Sequence, residues 1–397
     1  MKIAGVICEC NPLHSGHAHL FSCAGLKGAD AVIAVMSGEF VQRGEAAILG
    51  SFPRAEALVR AGVDLVLELP FPYSSAGAEF FAAAGVEILD RLGVDQLWFG
   101  SECGDLARLE RLAGAVDDPA FRALYAAKAK GREGTAHAFF SCLQSFCGDG
   151  TPCLSNDILG ISYLCALRAR GSRMNAFTVR REGSAYRDEA LSASQSHPSA
   201  TALRRLWREE GREAFLAEDA FLNRERVLAE EADGRVPASL TNAERLILGH
   251  FRLTPPEQLE EAAELFGGLG NRMAQTAQKA RTLAELLELT ETKKYPRARI
   301  QRGILFSVTG TKREDLRAPI AYVRLLAANA RGREILAGIK KTSDLCVVTR
   351  RADLPQTPGA RHEEEMARRA HALYTLCYPT AAGVDDLWRQ TPVILEE

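Results

Sequence analysis

The chain has 397 residues, of which 47% are hydrophobic and 25% charged, with a formal net charge of −2. This is ordinary globular composition but too long for one compact core, so two domains or one domain with a large appendage are expected, and any nucleic-acid partner must be met by a local basic patch. Ten scattered cysteines with no CxxC pair exclude a zinc ribbon and a thioredoxin-type site, while the lack of a secretory leader behind Met1 and of a membrane-length apolar stretch points to a reduced, cytoplasmic protein with no membrane association.

The first hundred residues alternate short apolar runs with amphipathic helical ones. Strands are expected at 3–7, 31–35, 64–69 and 96–99, with a fifth at 174–179, and helices at 17–27, 53–61 and 76–92. Near-continuous apolar strands separated by helices predict an α/β fold, a Rossmann-like five-stranded parallel sheet covered on both faces. Ligands of such sheets sit beyond the carboxyl ends of the strands, where strand order reverses. The segments that matter are then 8–17, 36–45, 70–75, 100–105 and 180–188, most of them rich in Gly, Ser, Arg, Glu or His. After about residue 205 the period turns helical, at 244–250, 256–266, 274–289 and 318–328, with a polar break at 234–237. The expected division is an α/β domain over 1–205 and a mostly α-helical domain over 206–397.

Directly after the first strand comes Asn11-Pro12-Leu13-His14-Ser15-Gly16-His17. His14 and His17 are three apart, so a helix starting here puts both rings on one face. Gly16 lets a phosphate approach the backbone, and the helix start adds N–H groups and a positive dipole end. Two imidazole donors over an anion-binding helix start suit one task, holding the charge that builds on an α-phosphate during in-line attack. The chain contains neither a Walker A sequence nor GxGxxG, so phosphate binding falls to this HxGH segment. A second group, His197-Pro198-Ser199-Ala200-Thr201-Ala202-Leu203-Arg204, opens the helix after the last strand. Ser199 reads as an N-cap. Its hydroxyl and that of Thr201 could hold β- and γ-phosphate oxygens, with Arg204 a turn later.

This pairing of HxGH with Ser-x-Thr-x-x-Arg resembles the nucleotidylyl-transferase superfamily, which has the HUP type of Rossmann-like sheet and attacks the ATP α-phosphate. Four further runs narrow the resemblance to the bacterial tRNA(Met) cytidine acetate ligase family: Met36-Ser37-Gly38-Glu39-Phe40-Val41-Gln42-Arg43-Gly44-Glu45, Val63 to Pro70, Phe99-Gly100-Ser101-Glu102 and Ser155-Asn156-Asp157-Ile158-Leu159-Gly160. Lys293 to Arg299 and Tyr322 to Leu326 extend it through nearly the whole chain. The resemblance implies an enzyme that joins acetate to ATP, with Mg²⁺ accompanying the nucleotide, to give acetyl-adenylate, and passes the acetyl group to N4 of the wobble cytidine of elongator tRNA(Met). It implies His14 and His17 as catalytic groups. It also implies an ATP-contacting run of Ile7, Cys8, Glu9, Cys10, Asn11, Pro12, Leu13, His14, Ser15, Gly16, His17, Ala18, His19 and Leu20, completed by Gly100, Asn156, Arg181 and Glu182. This sequence departs from the family at Cys10 and Leu13, where an aromatic is usual, at Ala18-His19-Leu20, where an aromatic-His pair is usual, and at Arg187, where His is frequent. Outside the family reading, a nucleotidylyltransferase that moves AMP to a small acceptor fits the same motif.

Other residues carry weaker signals. Arg43 lies in a Gly-flanked loop and could pair with a carboxylate or phosphate, while Arg181 and Arg187 flank the loop after the fifth strand; any of the three could neutralise pyrophosphate. Glu68 ends a buried strand and needs a partner, whereas Asp64 is expected to begin that strand at the surface. Lys293, Lys294, Arg297 and Arg299, with Tyr295 between them, have the composition of an RNA contact with base stacking, although charge runs are usually solvated faces.

Overall fold

The computed structural model describes residues 1–128, 135–181, 199–218 and 221–396. Five parallel strands form where the apolar runs predict them: β1 (Ile3–Cys8), β2 (Ala31–Ser37), β3 (Leu65–Leu69), β4 (Gln96–Ser101) and β5 (Asn175–Arg180). Their spatial order is β5-β4-β1-β2-β3, so strand order reverses between β1 and β4. Crossover helices α1 (Ser15–Leu26), α2 (Ser51–Arg60) and α3 (Ala78–Arg91), with the helix Ser155–Arg170, cover the two faces. Alternation along β1 separates the faces. Ile3 and Ile7 pack with Val35, Phe99, Phe81 and Tyr163 on the α3 side, whereas Ala4, Val6 and Cys8 pack with Leu20, Phe21, Phe52 and Trp98 on the α1–α2 side.

The sheet does not end at β3. The segment 318–328, expected to be helical, is instead the strand β6 (Tyr322–Ala328), antiparallel to β3 and buried at every residue. A strand covered on both faces loses its alternation and reads like a buried helix, which explains the error. Strands β7 (Cys346–Val348) and β8 (Val393–Ile394) then pair with β6. Two other helical expectations break up. The run 256–266 is helical only over Pro256–Leu259. The run 274–289 falls across two helices, Leu269–Ala277 and Leu283–Thr290, the second capped by Thr282. These helices share a core with Arg297–Thr309 and Pro358–Thr375, into which Phe40, Ala46 and Phe71 from the loops after β2 and β3 project. The helical layer thus packs directly on the carboxyl-edge loops of the sheet.

Two carboxylates, one just before β3 and one on it, have partners. Asp64, expected at the surface, accepts from the Val32 N–H at 2.8 Å and from Asn329 Nδ2 at 2.9 Å, tying β2 to the turn after β6. Glu68 meets Arg324 of β6 at 3.4 Å, and burial pushes its carboxyl up despite that charge. Among the described residues, no helix is long and apolar enough to cross a membrane.

Candidate active site

The HxGH segment lies where the fold predicts a ligand, at the carboxyl end of β1 beside the β1/β4 reversal. Cys10 turns the chain with a φ of +46°, a region few non-glycine residues adopt. His14 is then the N-cap of α1: its Nδ1 accepts from the Gly16 N–H at 3.1 Å, and His17 Nδ1 accepts from the His14 N–H at 3.3 Å. The two rings close a reciprocal cap with centroids 3.9 Å apart. A Cβ on Gly16 would lie 3.0 Å from the His14 ring, so glycine gives that ring its place as well as opening the backbone. The cap fixes chemistry. A neutral imidazole whose Nδ1 accepts carries its hydrogen on Nε2, so each ring is an Nε2–H donor. Burial holds the His17 pKa well below the ordinary histidine value, helped by His14 and Arg181, and keeps the ring neutral near pH 7.

Two loops are held in register by one arginine. Arg54 of α2 is fully buried and donates to carbonyls of the loops after β1 and β2 and of the chain entering α2: Nη1 to Glu9 O at 2.7 Å, Nη2 to Gly38 O, and Nε to Leu49 O at 3.0 Å. The hint was an arginine on a helix whose neighbours Phe52, Ala55, Ala57 and Leu58 are all apolar. Glu9 accepts from the Gln42 N–H at 2.8 Å; burial raises its carboxyl pKa, while Arg43 opposes the rise. The second predicted group does reach the first. Arg204 Nη1 donates to Asn11 O at 2.6 Å, and its Nη2 reaches Thr201 Oγ1 at 3.3 Å and Glu45 at 3.4 Å. Ser199 caps the helix Ala200–Glu210, accepting from the Ala202 N–H.

On the β4 side, Arg181 leaves β5 with its N–H on Ser101 O, and its side chain passes Gly100, where a Cβ would lie 3.3 Å from Arg181 Cγ. Asn156 lies in the first turn of the 155–170 helix and is organised by Glu102, a residue with no assigned role in the Phe99-Gly100-Ser101-Glu102 run. One Glu102 oxygen accepts from the Asn156 N–H and Nδ2, the other from the Asp157 N–H. A carboxylate over three donors at a helix start neutralises them, so Asn156 is positioned here by protein rather than left open to an anion. Glu182, Arg187 and His197 lie outside the described residues.

Within the predicted run the side chains divide. Ile7, Cys8, Cys10, Leu13 and Leu20 are core residues that shape the loop from beneath, and His19 is exposed beside Cys23. Asn11 accepts from the Ile48 N–H at 2.9 Å, and its buried Nδ2 has no protein partner among the described residues. A small cavity lined by Gly38, Glu39, Glu68, Phe71 and Arg324 lies toward β3 and β6; Glu68 pairs with Arg324 and Glu39 with His371, so it is not the site of the histidines.

The basic cluster is split as well. Tyr295 is buried with its hydroxyl on Gly267 O at 2.6 Å, which removes it from base stacking. Arg299 is buried too, donating to Glu264 O and Phe266 O. Lys293, Lys294 and Arg297 remain exposed.

Comparison with known proteins agrees with this geometry. The profile of the HIGH Nucleotidyl Transferase family matches residues 1–386. A tRNA(Met) cytidine acetate ligase of Syntrophotalea carbinolica is 34% identical over 97% of this chain and 96% of its own length, and one of Listeria monocytogenes is 35% identical over 95% of each. The crystal structure of apo Thermotoga maritima TmcAL superposes with a TM-score of 0.91 at 30% identity over the whole of both chains, and the form bound to alpha-thio ATP with 0.89. The paired histidines at the start of α1 and the match from end to end together place this chain in the HIGH nucleotidyl transferase family, among the tRNA(Met) cytidine acetate ligases.

Proposed function

We propose that this protein is an ATP-dependent ligase that activates acetate as acetyl-adenylate and acetylates N4 of the wobble cytidine of elongator tRNA(Met). The observation that carries the reading is the reciprocal cap, which sets two Nε2–H donors at a helix start on the β1/β4 edge. An acetate oxygen bonds to the α-phosphorus, the bond to the β-phosphate oxygen breaks, and pyrophosphate leaves with that electron pair. His14 and His17 donate to the α-phosphate oxygens as charge builds there, acting as neutral donors in a site that needs no reorganisation. The cytidine amine then attacks the acetyl carbon, AMP departs, and the nitrogen gives up a proton to water.

ATP contacts fall to the 7–20 run, Gly100, Asn156, Arg181, Glu182, Ser199 and Thr201. Mg²⁺ arriving with the nucleotide would offset the charge of its phosphates. The sheet with its carboxyl-edge loops performs adenylation and the helical layer of the C-terminal half presents tRNA, with Lys293, Lys294 and Arg297 as the exposed cations of the basic segment. A cytoplasmic location, where ten thiols stay reduced, belongs to the same reading.

Incubating tRNA with the protein, ATP and acetate, then measuring nucleosides by mass spectrometry, tests the proposal. N4-acetylcytidine that needs all components is expected. A nucleotidylated small molecule with unmodified tRNA would favour the alternative transferase.

A further inference from the structure

In-line displacement puts the entering and leaving groups on opposite sides of the phosphorus, and the fold identifies the leaving side. The helix Ala200–Glu210, with Ser199, Thr201 and Arg204 at its start, buries Leu203 and Trp207 in the core of α1 and α2. If these residues hold the β- and γ-phosphates, as proposed above, pyrophosphate leaves toward that face of β1 and the nucleophile enters from the other, where α3 and the 155–170 helix pack.

Two buried hydroxyls on that second face, Tyr163 and Ser37, and a third at Ser75 in the turn before α3 have no hydrogen-bond partner among the described residues. Each of the three residues is at most 2% exposed. Ser37 follows Ile33 and Val35 on the α3 side of β2, and the pairing of Cys8 with Met36 brings it level with Glu9. Tyr163 packs its ring on Phe99 with centroids 5.7 Å apart, and Glu9 is among the charges that raise its phenol pKa, after burial itself. Ser75 adjoins Ala76, whose carbonyl accepts from Gln42 Nε2, while the Gln42 N–H donates to Glu9. One residue, Gln42, thus ties the Ser75 end of the cluster to the Glu9 end. Buried hydroxyls without partners cost about 1–3 kcal/mol each, which a bound acceptor would relieve.

We propose that acetate binds on the α3 face of β1 beneath Glu9, its carboxylate held by the hydroxyls of Tyr163, Ser37 and Ser75 and its methyl against Ile7 and Phe99. This rests on the acetate-ligase reading. The donors match a carboxylate, which only accepts, and Arg43 offsets the negative charge of Glu9 at the rim. From this pocket one acetate oxygen faces the phosphorus opposite the leaving pyrophosphate. It forms the new P–O bond while the bond to pyrophosphate breaks, and no proton moves.

The test is acetate-dependent ATP–pyrophosphate exchange in the full chain for wild type, Tyr163→Phe and Ser37→Ala. Hydrogen bonds to a charged group correspond to about a tenfold to hundredfold rise in KM for acetate for each variant. KM for ATP should stay within about twofold of wild type, which also reports that each variant is folded. An unchanged KM for acetate in both variants, or KM values for acetate and ATP that rise together, would overturn the placement. A wild-type protein that exchanges pyrophosphate without needing acetate would overturn the activity reading itself, and the pocket with it.

Discussion

Histidines are used in opposite ways at the two ends of this chain. At the start of α1, His14 and His17 each accept a backbone N–H on Nδ1, and desolvation keeps His17 neutral. Inside the helix Pro358–Thr375, His371 is 1% exposed and both its nitrogens meet carboxylates, Glu39 at 2.5 Å and Asp386 at 2.7 Å, which raise its pKa to about 9 against the opposing effect of burial. A ring bound on both nitrogens is a charged clamp between segments. A ring held through Nδ1 by the backbone has its orientation and tautomer set, with the hydrogen on Nε2. The arginines divide similarly. Buried Arg54 and Arg299 give their donors to carbonyls and hold loops, whereas exposed Arg60 and Arg297 pair with the carboxylates of Glu56 and Glu291.

The comparison can be broken first at Arg54. Arg54→Met would strand the carbonyls of Glu9, Gly38 and Leu49, and we expect a loss of about 3–5 kcal/mol in urea unfolding; a change under 1 kcal/mol would mean that the loops hold without it. His371 comes next. Its folded pKa lies above the unfolded value of about 6.5, so its contribution is complete below that pH and fades as pH rises toward 9, by up to about 3 kcal/mol. His371→Gln should flatten unfolding free energy over that window, and an unaltered pH slope would deny the clamp. His17 predicts the opposite sign. Its folded pKa is lowered, so stability should decline as pH falls below about 6.5, and His17→Ala should remove that decline. The smallest effect is expected at the surface. Replacing Lys293, Lys294 and Arg297 with Ala should weaken tRNA binding and lower its salt slope by at most about 3, leaving acetate-dependent exchange unchanged. Tyr295→Phe should cost stability through its bond to Gly267, with little change in tRNA affinity beyond that.

The five parallel strands and the HxGH segment were legible because their signals are local: apolar runs of strand length, and a glycine between two histidines directly after one of them. What failed to show depends on partners distant in sequence. Strand β6 was hidden because both its faces are covered, by α2 on one side and the helix Ala330–Thr342 on the other, so nothing in its pattern alternates. Glu102, Arg54 and Tyr163 look ordinary in sequence and acquire meaning from the backbone groups and charges the fold brings to them. Tyr295 and Arg299 misled in the other direction. A basic, aromatic string has the composition of an RNA contact, yet the carbonyls of Glu264, Phe266 and Gly267 draw both side chains inward.

The central claim is that the two capped imidazoles stabilise charge on the α-phosphate rather than merely holding ATP. Acetate-dependent exchange by His17→Ala, measured beside its dissociation constant for ATP, addresses this directly. Loss of one preorganised donor predicts exchange slowed by about 10²- to 10³-fold with ATP affinity changed only a few-fold. Exchange close to wild type, or a loss explained wholly by weaker ATP binding, would contradict it.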